Sequence, residues 1–302
     1  MNDHFRGAGQ AEAAARLGGE RAHRLGVGTN ALLGVIKLSG GLAAGSPALV
    51  ADGWHSLADF LTTGVAWASF RLGAQPPDDD HHYGHGKLEA LAAVGVGGVL
   101  AAGGGVLLWS ALPSGPLAGV GGELVPALAL AIAAASMAVN EWLARVTGKA
   151  GRRLRSPALM AVSRDNRADA LSSLLVMVGV GGRALGWGWT EPTATALIAL
   201  TIVIMGLKSV LEGGDVLVDR VTDPSLRSEI TRAALVVDGV LDVDRVRVHP
   251  LGSAWTVDVE ISVDGGLTVR EGHDIAHAVE AALTALRDGI VGVQVHVNAH
   301  GA

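Results

Sequence analysis

His55 and Asp59 lie four residues apart in SPALVADGWHSLADFLTTGVA, and Asp165 and Asp169 repeat that spacing in SPALMAVSRDNRADALSSLLVMVGV. Both segments are otherwise apolar enough to enter a membrane, where ionisable side chains are costly and functional by default. On a helix, positions i and i+4 share a face, so each pair offers two ligands to one point. Imidazole and carboxylate without thiolate suit Zn(II), Fe(II), Mn(II) or Co(II) better than Cu(I). Structural ion pairing is the competing reading, but the nearest cations in sequence are Arg164 and Arg167, at the end of their segment expected near the cytoplasm. Metal binding displaces protons from its ligands, so proton exchange is expected with it. Asp52, one turn outward from His55, reads either as a relay to the outside or as a water-facing helix-end acid.

A second constellation fills PPDDDHHYGHGKLEA, where Asp78, His81 and His85 recur at one-turn spacing and could hold a Zn-like ion on a helix or tight turn. Its competing reading is a solvated polar turn. A third is spread over the C-terminal quarter: Asp244, His249, Glu260, His273, His296, Asn298 and His300. Of these, Glu260, His273 and His296 form the expected regulatory metal site. Lys87 and the Asp219-Arg220 pair stand at the inner ends of two apolar segments, placed for a salt bridge or for a lysine that snorkels.

Helices must position the first constellation. Ser46-Pro47 and Ser156-Pro157 each read as an N-cap followed by proline in the first turn. The first member of each pair lies eight residues past its proline and the second twelve, which is roughly 12 and 18 Å into a core of roughly 30 Å. If the two helices run in opposite directions, His55 is level with Asp169 and Asp59 with Asp165. Apolar spans are expected at about 25–45, 47–72, 87–111, 122–147, 157–185 and 190–212. Arg6, Arg16, Arg21 and Arg24 precede the first; Arg71 and Lys87 flank the second loop; Arg145, Lys149, Arg152, Arg153 and Arg155 fill the fourth. The opposite loops carry little but Arg183, so both termini are expected in the cytoplasm and the second and fifth spans are antiparallel. Ala-Asp-x-Leu followed by a hydroxyl residue recurs in those two spans, a faint sign of an inverted repeat.

From about residue 213 the pattern becomes that of a soluble domain. Asp223-Pro224 opens a helix to about 237, and Thr268-Val-Arg-Glu271 is a capping box opening another to about 287. Residues 243–249, 254–263 and 291–298 alternate as strands, giving αββαβ with helices on one sheet face and a polar, open second face. The expected organisation is a tail over 1–24, six helices over 25–212, and an α+β regulatory and dimerisation domain over 213–302.

Composition narrows the classes. Of 302 residues, 49% are hydrophobic, 17% charged and 43 are glycine, which suits a polytopic membrane protein with closely packed helices. Cysteine is absent, excluding disulfides, thiolate sites and cysteine nucleophiles. No basic patch suggests nucleic acid, and the polar N-terminus does not read as a secretory signal. An intramembrane hydrolase is disfavoured because no serine nucleophile or HExxH pair accompanies the acids, so the chain is not expected to be an enzyme or to need an organic cofactor.

ADGWHSLAD, DDDHHYGHGKLEALA, DNRADALSS and VDRVTDP, in this order and spacing, make the chain resemble the cation diffusion facilitator family of divalent-metal/proton antiporters from about residue 25 to its end. The resemblance implies a homodimer in the inner or plasma membrane, a metallochaperone-like (ferredoxin-like) cytoplasmic domain, and alternating-access efflux. It places the transport site at His55, Asp59, Asp165 and Asp169, the loop site at Asp78, His81 and His85, and a charge interlock at Lys87 and Asp219. Zn(II) leads the expected cargoes, with Fe(II), Mn(II) and Co(II) as alternatives. Asp165 stands where zinc-associated members commonly have histidine, which shifts weight towards Fe(II) or Mn(II), and DNRAD resembles the magnetosome branch. Asp244, Glu260 and Asn298 depart from the family's usual cytoplasmic ligands. The alternative from another class is a metal-sensing membrane scaffold that moves little cargo.

Overall fold

The computed structural model describes residues 28–73, 75–112, 126–154, 157–221, 223–252 and 254–300. Arg6, Arg16, Arg21, Arg24, Arg155, Ser156 and the first residues of the expected first and fourth spans lie outside the described residues. Helix α1 covers residues 28–44. It ends in a Schellman motif: Gly45 takes φ 64°, the Gly45 amide bonds Leu42 O, and the Ser46 amide bonds Gly41 O. Ser46 then caps the next helix by accepting the Leu49 amide at 3.3 Å, so α1 and α2 (Pro47–Gly73) turn back on each other within two residues. Their backbones meet closely. A Cβ on Gly53 would lie 2.6 Å from the Leu38 nitrogen, and one on Gly41 would lie 2.7 Å from that of Val50.

Four more long helices follow: α3 (Lys87–Ser110), α4 (Pro126–Leu154), α5 (Pro157–Ala184) and α6 (Thr190–Leu217). Among the described residues, α3, α4 and α6 have the length and apolarity to cross a membrane. Helices α2 and α5 have the length, but their polar residues, which include the two ligand pairs, dilute the apolar run. A helix that must carry ionisable side chains gives up part of its membrane signature. The described residues fall into two compact units, one running to Gly64 and over Val96–Lys208, the other formed by Val65–Gly95 and the chain from Ser209 onward. The core of the first includes Leu49, Leu100, Val176, Val180 and Ile202.

The C-terminal elements are α7 (Leu226–Leu235), β1 (Asp242–Leu251), β2 (Ala254–Val263), α8 (Val269–Thr284) and β3 (Ile290–Ala299). The expected αββαβ order is present, and both capping-box bonds between Thr268 and Glu271 form. The first helix starts later than Pro224: Asp223 accepts from the Ser225 amide and hydroxyl, and Arg287 ties Asp223 to Glu229. Those bonds hold the Asp223 carboxyl down at about 2, with the Arg287 hydrogen bond the largest cause. Strand order is β1-β2-β3, antiparallel then parallel. Val257, Val259 and Ile261 of β2 pack with Leu226 and Ile230 of α7 and Val279 and Leu283 of α8, leaving the other face polar.

Candidate metal centres

His55 and Asp59 project from α2, Asp169 from α5, and their ligand atoms all lie within 4.8 Å of one another. His55 Nε2 is 3.5 Å from Asp169 Oδ1 and 3.9 Å from Asp59 Oδ2. The depth count paired His55 with Asp169, which is the closer of these contacts. Asp165 lines the same cavity of about 380 Å³ but is exposed and stands outside the three-residue group. Asn30 of α1 also lines it, donating Nδ2 to Asp169 Oδ2 at 3.4 Å, while its buried Oδ1 has no hydrogen-bond partner among the described residues. His55 Nδ1 is likewise buried and unpartnered. One imidazole nitrogen and two carboxylates around one point can hold a divalent transition cation with positions left over.

Two readings of the sequence are corrected beside this cavity. A buried cation is present: Lys37 of α1, fully inaccessible, pairs with the equally buried Asp52 at 2.9 Å. Lys37 also donates to Ser56 Oγ at 3.0 Å, and Ser172 and Ser173 of α5 donate to Asp52 at 2.7 and 2.9 Å. Asp52 is therefore not water-facing. It is held by a cation and two hydroxyls, joining α1, α2 and α5 with every strong charge answered.

The loop constellation closes as a tight turn rather than a helix. Asp78 Oδ1 accepts the His81 amide at 2.7 Å and the Asp80 amide at 3.0 Å, and it lies 3.1 Å from His81 Nδ1. Asp78 Oδ2 is 3.5 Å from His85 Nε2, and the imidazole centroids of His81 and His85 are 4.2 Å apart. The backbone amide of His81 is the main reason the Asp78 carboxyl sits below its ordinary value. Asp78, His81 and His85 form the second group within 4.8 Å, a two-imidazole, one-carboxylate set with the composition of an open zinc site.

Glu260, His273 and His296 do not form such a group. Glu260 and His296 are register partners on the open sheet face, where Arg245 occupies Glu260 at 3.1 Å. His273 belongs to α8, the helix layered on the opposite face. Its neighbour is His277, one turn on, with Nε2 atoms 3.2 Å apart, and Glu280 lies 3.1 Å from His277 Nδ1. Asp244 at the β1 bulge accepts from Ser262 and Asn298, which hold its carboxyl below the ordinary value, Asn298 foremost. The His300 amide donates to Val263 O at 2.8 Å. Sequence reasoning passed over Asn30, Lys37 and His277. Lys37 was detectable as a lone charge in an apolar span and His277 as i+4 to His273, whereas nothing marked Asn30.

Lys87 Nζ lies 2.9 Å from Asp219 Oδ1. Asp219 occupies the left-handed position of a Schellman motif ending α6, with φ 60°, the Asp219 amide bonded to Val216 O and the Arg220 amide to Asp215 O. Glycine usually takes that place. Here the carboxylate reaches Lys87 on one side and His249 Nδ1 at 3.5 Å on the other, and His249 Nε2 lies 3.3 Å from Asp258. The Lys87 hydrogen bond is the chief cause of the lowered Asp219 pKa. Arg220 turns back to Asp215 at 2.8 Å.

A unit of long apolar helices with histidine and carboxylate side chains gathered at one cavity, followed by a three-stranded α+β domain, is the arrangement of a two-part cation transporter. The chain belongs to the cation efflux, or cation diffusion facilitator, family: residues 24–218 match its transmembrane domain and residues 222–300 its cytoplasmic domain. It is 34% identical over 297 residues to metal tolerance protein C1 of Arabidopsis thaliana, covering 93% of this chain and 62% of that protein's length. It is 32% identical over 277 residues to the manganese efflux system protein MneP of Bacillus subtilis, covering 89% of this chain and 92% of that one. The putative transporter MamV of Paramagnetospirillum magneticum is 33% identical over 267 residues, covering 87% and 79%. Family membership makes the chain a membrane-embedded cation efflux transporter.

Proposed function

We propose that this protein exports a divalent transition-metal cation in exchange for protons, using the α2–α5 cavity as its transport site. The observation that carries the reading is the convergence of His55, Asp59 and Asp169 within 4.8 Å, with Asp165 on the same cavity wall. A cation and protons compete for the same carboxylate oxygens, so loading from one side and protonation from the other give exchange. The donor set is oxygen-rich, which favours Mn(II) or Fe(II) over Zn(II) and Co(II). The likeness to a protein named for manganese efflux supports the same order. Arg71 and Lys87 at the α2–α3 loop and Arg145, Lys149, Arg152 and Arg153 at the end of α4 support a cytoplasmic position for those ends and for both termini. The protein works in the inner or plasma membrane as a homodimer, with the C-terminal domain as the dimerising and metal-responsive part. Asp78, His81 and His85 bind a regulatory cation, and Lys87 with Asp219 fixes the inner ends of α3 and α6.

Uptake into proteoliposomes with an imposed pH gradient tests this. Mn(II) flux should depend on the gradient and fall at least ~100-fold in Asp59→Ala and Asp169→Ala, more than typical losses on removing an outer-shell group. Unchanged flux in both variants would sink the site assignment.

A further inference from the structure

The cavity between α2 and α5 gathers three ligand atoms, yet a divalent transition cation takes at least four, and a hard one such as Mn(II) prefers six. The remaining donors on its wall differ in how they are already engaged. Thr62 Oγ1 donates to Ala58 O at 2.8 Å and Asn166 Nδ2 to Val162 O at 2.9 Å, so both side chains are turned along their own helices, and Thr63 is exposed. Asp165 is exposed and outside the group. Asn30 alone among the lining residues comes from α1 and touches a ligand directly, through Nδ2 to Asp169 Oδ2 at 3.4 Å. The other end of that amide, Oδ1, is buried without a partner among the described residues. An unsatisfied buried carbonyl costs about 1–3 kcal/mol, so its retention here calls for a reason.

We propose that Asn30 is a further ligand of the transported cation, supplying a neutral oxygen from α1; this inference rests on the transport reading above. Without a cation the amide NH2 faces the Asp169 carboxylate. A half-turn of the amide about its Cβ–Cγ bond exchanges NH2 for the carbonyl and turns Oδ1 towards the point that Asp169 shares with His55 and Asp59. The orphaned oxygen then gains a cation, and the site becomes the product of three helices rather than two. A third oxygen, as fourth ligand, also hardens the donor set without adding charge, which selects Mn(II) or Fe(II) over Zn(II). Because α1 also carries Lys37, whose partner Asp52 is on α2, the cation and the ion pair draw the same helix towards the same neighbours.

The test compares Asn30→Ala, Asn30→Leu and Asn30→Asp with wild type in two measurements. The first is the apparent KM for Mn(II) and Zn(II) in proteoliposomes. The second is the visible spectrum of bound Co(II), whose bands strengthen as coordination number falls. Asn30→Ala should raise the KM for Mn(II) by ~10- to 100-fold and that for Zn(II) by less, and intensify the Co(II) bands, with Asn30→Asp restoring both towards wild type. Asn30→Leu removes the oxygen while filling the space, and decides the matter if the alanine variant fails to fold. An unchanged Co(II) spectrum, or equal KM changes for both metals, overturns the assignment even if affinity drops, since a residue that only steadies Asp169 would behave that way. Loss of transport in Asp59→Ala and Asp169→Ala alongside a wild-type Asn30→Ala rejects Asn30 and leaves the cavity as the transport site. Wild-type transport in all of them rejects the cavity itself.

Discussion

The two candidate metal groups of this protein use the same side-chain types in different surroundings. In the α2–α5 cavity the side chains of His55, Asp59 and Asp169 are 11%, 28% and 3% exposed, whereas in the α2–α3 loop those of Asp78 and His81 are 51% and 55% exposed and only that of His85 is as low as 11%. The loop ligands are positioned by local bonds within a few residues, Asp78 to the His81 and Asp80 amides. Those of the cavity come from helices more than a hundred residues apart in sequence and are held by helix packing. A site built from local bonds can fill and empty without the helices moving, so it suits sensing. One built between helices cannot change occupancy without changing what the helices feel, and that coupling is what a transporter needs.

The buried arrangement should be the easier to break. Lys37→Met leaves Asp52 buried opposite no cation, and removing one partner of such a pair typically costs about 3–5 kcal/mol. Thermal unfolding of the purified protein in detergent should show a large destabilisation. The double variant Lys37→Met with Asp52→Leu should recover much of it, because two apolar groups leave no charge stranded. If the single variant unfolds like wild type, the ion pair contributes nothing and the contrast between the regions weakens.

What could be read beforehand divides along the same line. The capping box at Thr268, the alternation of β1 to β3 and the tight spacing of Asp78, His81 and His85 are local, and the sequence pattern shows them directly. The level pairing of His55 with Asp169 followed from helix rise and direction alone. The Lys37–Asp52 pair and the Asn30 contact depend on how α1 packs against α2 and α5, which no local pattern specifies. The dispersal of Glu260, His273 and His296 was hidden for a related reason. Strand alternation tells which residues share a sheet face, but not that Arg245 already occupies the glutamate or that α8 turns His273 away from the open face.

A smaller effect should come from the exposed group. His85→Ala removes one of three ligands, and binding of Zn(II) to the loop, followed by calorimetry, should weaken by ~10-fold or more while the KM of the cavity stays at its wild-type value. Equal loss at both sites would show that the two groups are not independent. Acid gives a second handle. The Asp78 carboxyl sits below its ordinary value of 3.8, so its contribution to loop order is present above that pH and fades only as the pH falls through the lower, folded value. Metal-free loop structure, followed by proton exchange of the His81 amide, should therefore persist down to about that pH.

The smallest expected change in stability is at Asp219, where two terms oppose each other. Its left-handed backbone costs an aspartate roughly 1–2 kcal/mol that glycine would not pay. Its contact with Lys87 is partly exposed, with the side chains 41% and 37% accessible, and pairs in such surroundings contribute ~0–1 kcal/mol. Asp219→Gly should therefore leave the melting temperature unchanged or slightly raised while cutting the links to Lys87 and His249 together. If transport slows in a variant that is as stable as wild type, the carboxylate is kept in an unfavourable backbone position for what it connects. Full transport in that variant would reduce Lys87 and Asp219 to a surface ion pair.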